Sequence, residues 1–209
     1  MVAEVSRPHA VRRARTLNAL TIGWNTIEGV VAIGAGLAAG SVSLIGFGLD
    51  SAIEVSAAVA LAWRLARERR TDCREEDDRL AQRLVAVSFA ALAAYVTVGA
   101  SSSLIGGRAP DASVAGVALA AVSLAVMPVI ARAKRRVAPV LGSRAAAAEA
   151  AQTDLCTALS AALLGGLGLN LLFGWWWADP IAALVIGAIA GYSAIATWRA
   201  PSLAHTCCS

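Results

Sequence analysis

Six stretches of this chain stay apolar over the length of about 20 residues that a helix needs to cross a bilayer, and most charged side chains lie between them. That pattern leaves few folds open. In hydrocarbon every backbone N–H and C=O must be paired within the protein, so a spanning segment is a helix or a strand of a closed barrel. Continuous apolar runs, without the alternation of a strand, select the helix. Hydrophobic residues make up 58% of the chain and charged residues 15%, whereas a soluble domain carries about a quarter charged residues. The fold class expected is all-α: a polytopic membrane protein with six transmembrane helices in a bundle.

The spans read as 17–39, 42–65, 80–105, 112–133, 145–173 and 179–199. Gly40-Ser41 makes a very short first turn, and Gly106-Gly107-Arg108-Ala109-Pro110-Asp111 another. Gly174 is placed to end the fifth helix as a C-cap. Asp179 is placed as the N-cap of the sixth, with Pro180 as its first helical residue. Residues 1–16 and 200–209 are read as tails around a membrane domain of 17–199. Met1 to Thr16 is basic but lacks the apolar core and small-residue cleavage site of a removable signal peptide.

Lysine and arginine gather in the first tail, the loop after span two, the loop after span four and the last residues, while Arg108 alone lies on the other side. The positive-inside rule then places both termini in the cytoplasm, with the plasma (inner) membrane as the expected location. Trp175-Trp176-Trp177 falls at the outer interface, and Trp63 and Trp198 near the inner one, as an aromatic belt. The net charge of +4 reflects these flanking residues, so no nucleic-acid partner is expected. Cys73, Cys156, Cys207 and Cys208 do not form a disulfide pattern. Runs such as Gly165-Gly166-Leu167-Gly168 allow close helix approach and suggest a compact bundle and a homodimer.

Four carboxylates interrupt the spans: Glu28, Asp50, Glu54 and Glu149, with Asp154 just behind the last. An ionised group near the bilayer centre costs at least about 2.5–3.5 kcal/mol on insertion scales, so intramembrane acids point to an ion or proton path. Asp50 and Glu54 stand one helical turn apart on one face. Two negative charges that close repel unless a proton or a cation lies between them. Glu149, Gln152 and Cys156 share a face of span five at i, i+3, i+7, whereas Asp154 points elsewhere. Desolvation favours the neutral form of a carboxyl group, and a metal needs the deprotonated form, so metal binding releases protons.

Span two, Gly40-Ser41-Val42-Ser43-Leu44-Ile45-Gly46-Phe47-Gly48-Leu49-Asp50-Ser51-Ala52-Ile53-Glu54, resembles the second helix of cation diffusion facilitator transporters. Ala148-Glu149-Ala150-Ala151-Gln152-Thr153-Asp154-Leu155-Cys156 resembles the partner motif on their fifth helix, and Gly174-Trp175-Trp176-Trp177-Ala178-Asp179-Pro180 their entry to the sixth. The likeness covers 17–198 and is nearest to short six-helix members without a C-terminal cytoplasmic domain. It implies secondary export of a divalent transition metal by proton antiport, through a site on helices two and five. It also implies that Asp50, Glu54, Gln152 and Cys156 fall on the ligand positions, and that Asn25 and Glu28 match polar positions of the first helix.

Where those transporters have His and Asp on helix five, this chain has Gln152 and Cys156. Zinc accepts carboxylate oxygen and Cys sulfur, and a Gln carbonyl suits harder cations such as Mn²⁺. Zinc is thus the first expected cargo, with Mn, Fe, Co and Cd as the others. Glu149 is the next candidate ligand or proton carrier, ahead of Asp154, and Asn25, Glu28 and Asp154 form a supporting or proton-path set. His205, Cys207 and Cys208 are soft ligand types in the last residues.

Beyond the cargo and protons, no prosthetic group is expected. No nucleotide loop, Ser/His/Asp arrangement or zinc-protease motif occurs, and the only histidines are His9 and His205, so the chain is not expected to be an enzyme. The rival readings are an intramembrane acid-pair enzyme using Asp50 and Glu149, a non-transporting membrane partner subunit, and a carrier of small organic cations.

Overall fold

A computed structural model describes residues 7–67, 75–107, 109–111, 113–141 and 144–199. They form six helices: α1 (Arg7–Ala39), α2 (Val42–Arg67), α3 (Glu75–Gly106), α4 (Val114–Leu141), α5 (Arg144–Phe173) and α6 (Ala178–Arg199). All six are long and apolar enough to cross a membrane, and the protein is a transmembrane helical bundle. Residues 200–209, with His205, Cys207 and Cys208, lie outside the described residues, as does the side chain of Trp63.

Several helices outrun the apolar segments read from the sequence. α1 already begins at Arg7, and α4 continues through Lys134 and Pro139 to Leu141. Hydropathy marks where lipid begins, but i→i−4 bonding carries a helix on into water when the residues are good helix formers. Pro139 ends no helix, although an interior proline removes one such bond.

The α1–α2, α3–α4 and α5–α6 connections lie at one end of the bundle, here the turn end, and most basic residues at the other. At the turn end, Gly40 adopts φ +66° and the Ser41 N–H bonds to Gly36 O at 3.0 Å. A left-handed residue of this kind closes the last turn of α1, and glycine adopts it without steric cost. Gly174, at φ +67°, closes α5 through its N–H to Asn170 O at 2.9 Å. Ser41 then opens α2, with its Oγ accepting the Leu44 N–H, and Ser113 opens α4 in the same way toward Gly116.

Asp179 does not act as the N-cap expected of it. α6 starts at Ala178, and the Asp179 carboxylate reaches across the bundle to accept the hydroxyls of Ser41 and Ser43. The unpaired N–H groups and the positive dipole end of α2 draw the acid there. The contact ties the starts of α2 and α6 together where both are buried. Asp179→Ala is expected to lower the thermal midpoint by an amount matching about 1–3 kcal/mol, the usual cost of a lost charge-assisted bond. A melt of the detergent-solubilised variant that overlays the parent would contradict this.

α1 pairs with α2, α4 with α5 and α3 with α6, while α2 also meets α3, α5 and α6. α2 is therefore central, and it crosses α5 inside the bundle. Close approach of α1 and α2 depends on glycine. A Cβ on Gly48 would stand 2.6 Å from Ile33 Cγ1 and 3.1 Å from Gly29 O. Gly48→Val is expected to cost about 1–3 kcal/mol through overpacking, read as a lower midpoint in the same melt.

The core runs through Phe47, Leu44, Met127, Leu159, Leu163, Leu167 and Ile186. Outward faces carry Leu20, Ile27, Val30, Val98, Ile105 and Ile195, as a lipid-facing surface does. Trp175 and Trp177 stack at 5.2 Å near the turn end, and Trp198 lies under the Arg83 guanidinium at the other.

Candidate functional site

Periodicity places the polar residues. On α2, Asp50, Ser51, Glu54 and Ala58 are buried at helical spacing. On α5 the buried face runs Glu149, Thr153, Cys156, Ser160, a spacing of i, i+4, i+7, i+11. On α1 it runs Asn18, Thr21, Asn25, Glu28. These three polar stripes meet in the half of the bundle nearer the basic end. The turn-end half of α5 continues the same face with Leu163 and Leu167.

Glu28 is fully buried. Its Oε2 accepts the Ser51 hydroxyl at 2.9 Å and its Oε1 the Trp24 indole N–H at 3.2 Å. The Cys156 Sγ lies 3.8 Å from Glu28 Oε2. Asp50 is beside Cys156, and both Glu28 and Glu54 act on it electrostatically. Glu54 Oε1 accepts the Thr153 hydroxyl at 2.5 Å. α1, α2 and α5 thus bring Asn25, Glu28, Asp50, Glu54 and Cys156 into one buried cluster.

Glu149 lies closer to the basic end and is held by a lysine. Lys134 of α4, only 5% exposed, donates to Glu149 Oε1 at 2.7 Å and to Thr153 Oγ1 at 2.9 Å, and stands 3.9 Å from Glu54 Oε1. Thr153 links the two acids by accepting from Lys134 and donating to Glu54. Asp154 is on another side of α5, in a half-exposed ion pair with Arg135 away from the cluster. An exposed pair of this kind contributes about 0–1 kcal/mol, so Asp154→Ala is expected to leave both the melt and cation binding at parent values.

Among the described residues, four side chains in or near the cluster keep buried atoms without a hydrogen-bond partner of good geometry: both amide atoms of Asn25, Oε2 of Glu54, Oε1 of Gln152 and Oδ1 of Asn18. Such groups are few in native proteins because each costs its full desolvation penalty. Asn18 is otherwise anchored, its Nδ2 donating to Ala58 O at 2.8 Å. Asn25 lies beside Glu54. Gln152 is only partly buried, and Thr153 takes the position on the inward face of α5. Among the described residues no three His, Cys, Asp or Glu side chains are grouped to hold one metal ion. The acids are spread over two levels, with the Lys134 ammonium in the one nearer the basic end.

Thr153 and Lys134 were not singled out by sequence reasoning, yet both had a signal. Thr153 is four residues after Glu149 and three before Cys156. Lys134 falls on the α4 face of Met127, Ile130, Ala131, Val137 and Ala138, whereas Arg132, Arg135 and Arg136 fall off it.

No family model matches this chain, and no curated protein matches it.

Proposed function

We propose that this protein is a secondary transporter that carries a divalent transition-metal cation across the membrane in exchange for protons, through the acids that α1, α2 and α5 hold in the bundle interior. The observation that carries the reading is the buried Glu54 carboxylate, one oxygen of which has no partner of good hydrogen-bond geometry among the described residues, and the Asn25 amide beside it. In a membrane interior, polar groups left open in this way mark a place where a cation, a proton or water is taken up.

The resemblance to cation diffusion facilitators supports a metal as the cargo, and Asp50, Glu54 and Cys156 offer ligand types that zinc accepts. The Gln152 and Asn25 carbonyls suit harder cations such as Mn²⁺. Exchange against protons that enter down their gradient moves the cation outward, so the net movement is export. Ligand carboxylates release protons on binding the cation and recover them on its departure.

The coupling is tested in proteoliposomes loaded with radioactive zinc. Efflux is expected to speed up at least severalfold when an inward proton gradient is imposed. Efflux that ignores the gradient would remove proton exchange from the reading.

A second reading has its own observation. The Lys134–Glu149 pair and the scattered acids also fit a non-transporting partner subunit whose polar groups hold helices together. It predicts neither metal binding nor flux by the purified chain.

A further inference from the structure

Transport through Asp50 and Glu54 leaves Lys134 without a role, although among the described residues it is the one cation in the buried network. α4 carries four basic residues between 132 and 136, and three of them are exposed or partly so. Lys134 alone turns inward. It meets Glu149 Oε1, Thr153 Oγ1 and, at 3.9 Å, Glu54 Oε1. These are oxygen donors of the type a metal ion also takes. The residue is lysine, whose ammonium is a compact point charge on a flexible stem, and not the forked arginine that suits a permanent bidentate pair.

We infer that Lys134 is a tethered cation that competes with the transported cation for the Glu54 carboxylate, an inference that rests on the transport reading above. Its ammonium is close enough to Glu54 that a divalent ion on that carboxylate would face a like charge at a few ångströms. Repulsion at such a range is strong wherever water is scarce. The two cations therefore exclude one another at Glu54. Lys134 has somewhere to go: its flexible stem lets the ammonium turn from Glu54 fully onto Glu149 and Thr153, whose oxygens already lie 2.7 and 2.9 Å from it. Glu149 holds the ammonium near the site, so it returns when the cargo leaves. The substrate-free carrier then keeps a counter-charge on its buried acids.

A structural ion pair would lose affinity when broken, because the site would loosen. Competition predicts the reverse. The experiment is calorimetric titration of the purified chain in detergent with Zn²⁺ and with Mn²⁺, for the parent, Lys134→Met and Lys134→Arg. Lys134→Met is expected to bind at least tenfold more tightly than the parent, while Lys134→Arg stays at or below parent affinity. Binding detected only in Lys134→Met also supports competition.

Parent-like or weaker binding by a folded Lys134→Met overturns the inference and leaves the transport reading standing. Binding by none of the three proteins overturns both. Should Lys134→Met fail to fold, the charge-balanced Lys134→Met/Glu149→Gln replaces it. That variant is expected to bind at least tenfold more tightly than Glu149→Gln alone, and equal affinities overturn the inference.

Discussion

Asp50→Asn together with Glu54→Gln is expected to abolish cation binding, with a loss of at least a hundredfold in the calorimetric titration and no measurable flux in proteoliposomes. The substitutions keep side-chain volume and leave the helices packed as before, so the melt should move little. Asp50 and Glu54 stack one turn apart on α2, both buried, next to Cys156 of α5. Each amide removes a negative charge that only a proton or a cation can balance there. Parent-like binding of zinc or manganese by the double variant would show that the cargo uses other residues. If the intact protein binds no metal at all, the partner-subunit reading takes precedence.

Glu149→Leu is expected to be the most destabilising single change in the bundle. It removes the carboxylate 2.7 Å from the Lys134 ammonium and leaves that charge buried with only Thr153 and the more distant Glu54. Breaking a buried pair by removing one partner costs about 3–5 kcal/mol, whereas replacing both partners by apolar groups is often neutral or better. Lys134→Met/Glu149→Leu should therefore recover most of the loss. A thermal or denaturant melt of the four proteins of this cycle gives the coupling energy directly. Equal stability of Glu149→Leu and the parent would mean that Lys134 satisfies itself elsewhere. Glu149→Leu should also bind cations more weakly than the parent, because the freed ammonium then has Glu54 as its only acidic partner.

The six-helix plan was legible because its cause is local. Six apolar runs of spanning length, separated by charge, specify helices wherever the surrounding solvent is lipid. Gly40 and Gly174 were readable as helix ends, since both adopt left-handed backbone where helices must stop. The acids were readable as well, because a carboxylate in hydrocarbon stands out against any apolar background. Their neighbours were harder to see. Lys134 looked like one more orientation charge in Lys134-Arg135-Arg136, and only its apolar-face spacing set it apart. Asp179 looked like a local cap, yet its carboxylate bonds to Ser41 and Ser43. Their place far back along the chain is not encoded near residue 179.

By itself, then, the sequence determined the number of helices, the glycines that close α1 and α5 and the presence of acids inside the bundle, all of which depend on neighbours within one or two helical turns. Which of those acids meet was decided by tertiary structure. Glu28 with Ser51, Glu54 with Thr153 and Glu149 with Lys134 are pairings between different helices. They depend on the rotation and depth at which each helix packs on the next, and close approach at residues such as Gly29 and Gly48 sets that packing. In lipid, where the hydrophobic effect does not drive helices together, such contacts choose the arrangement.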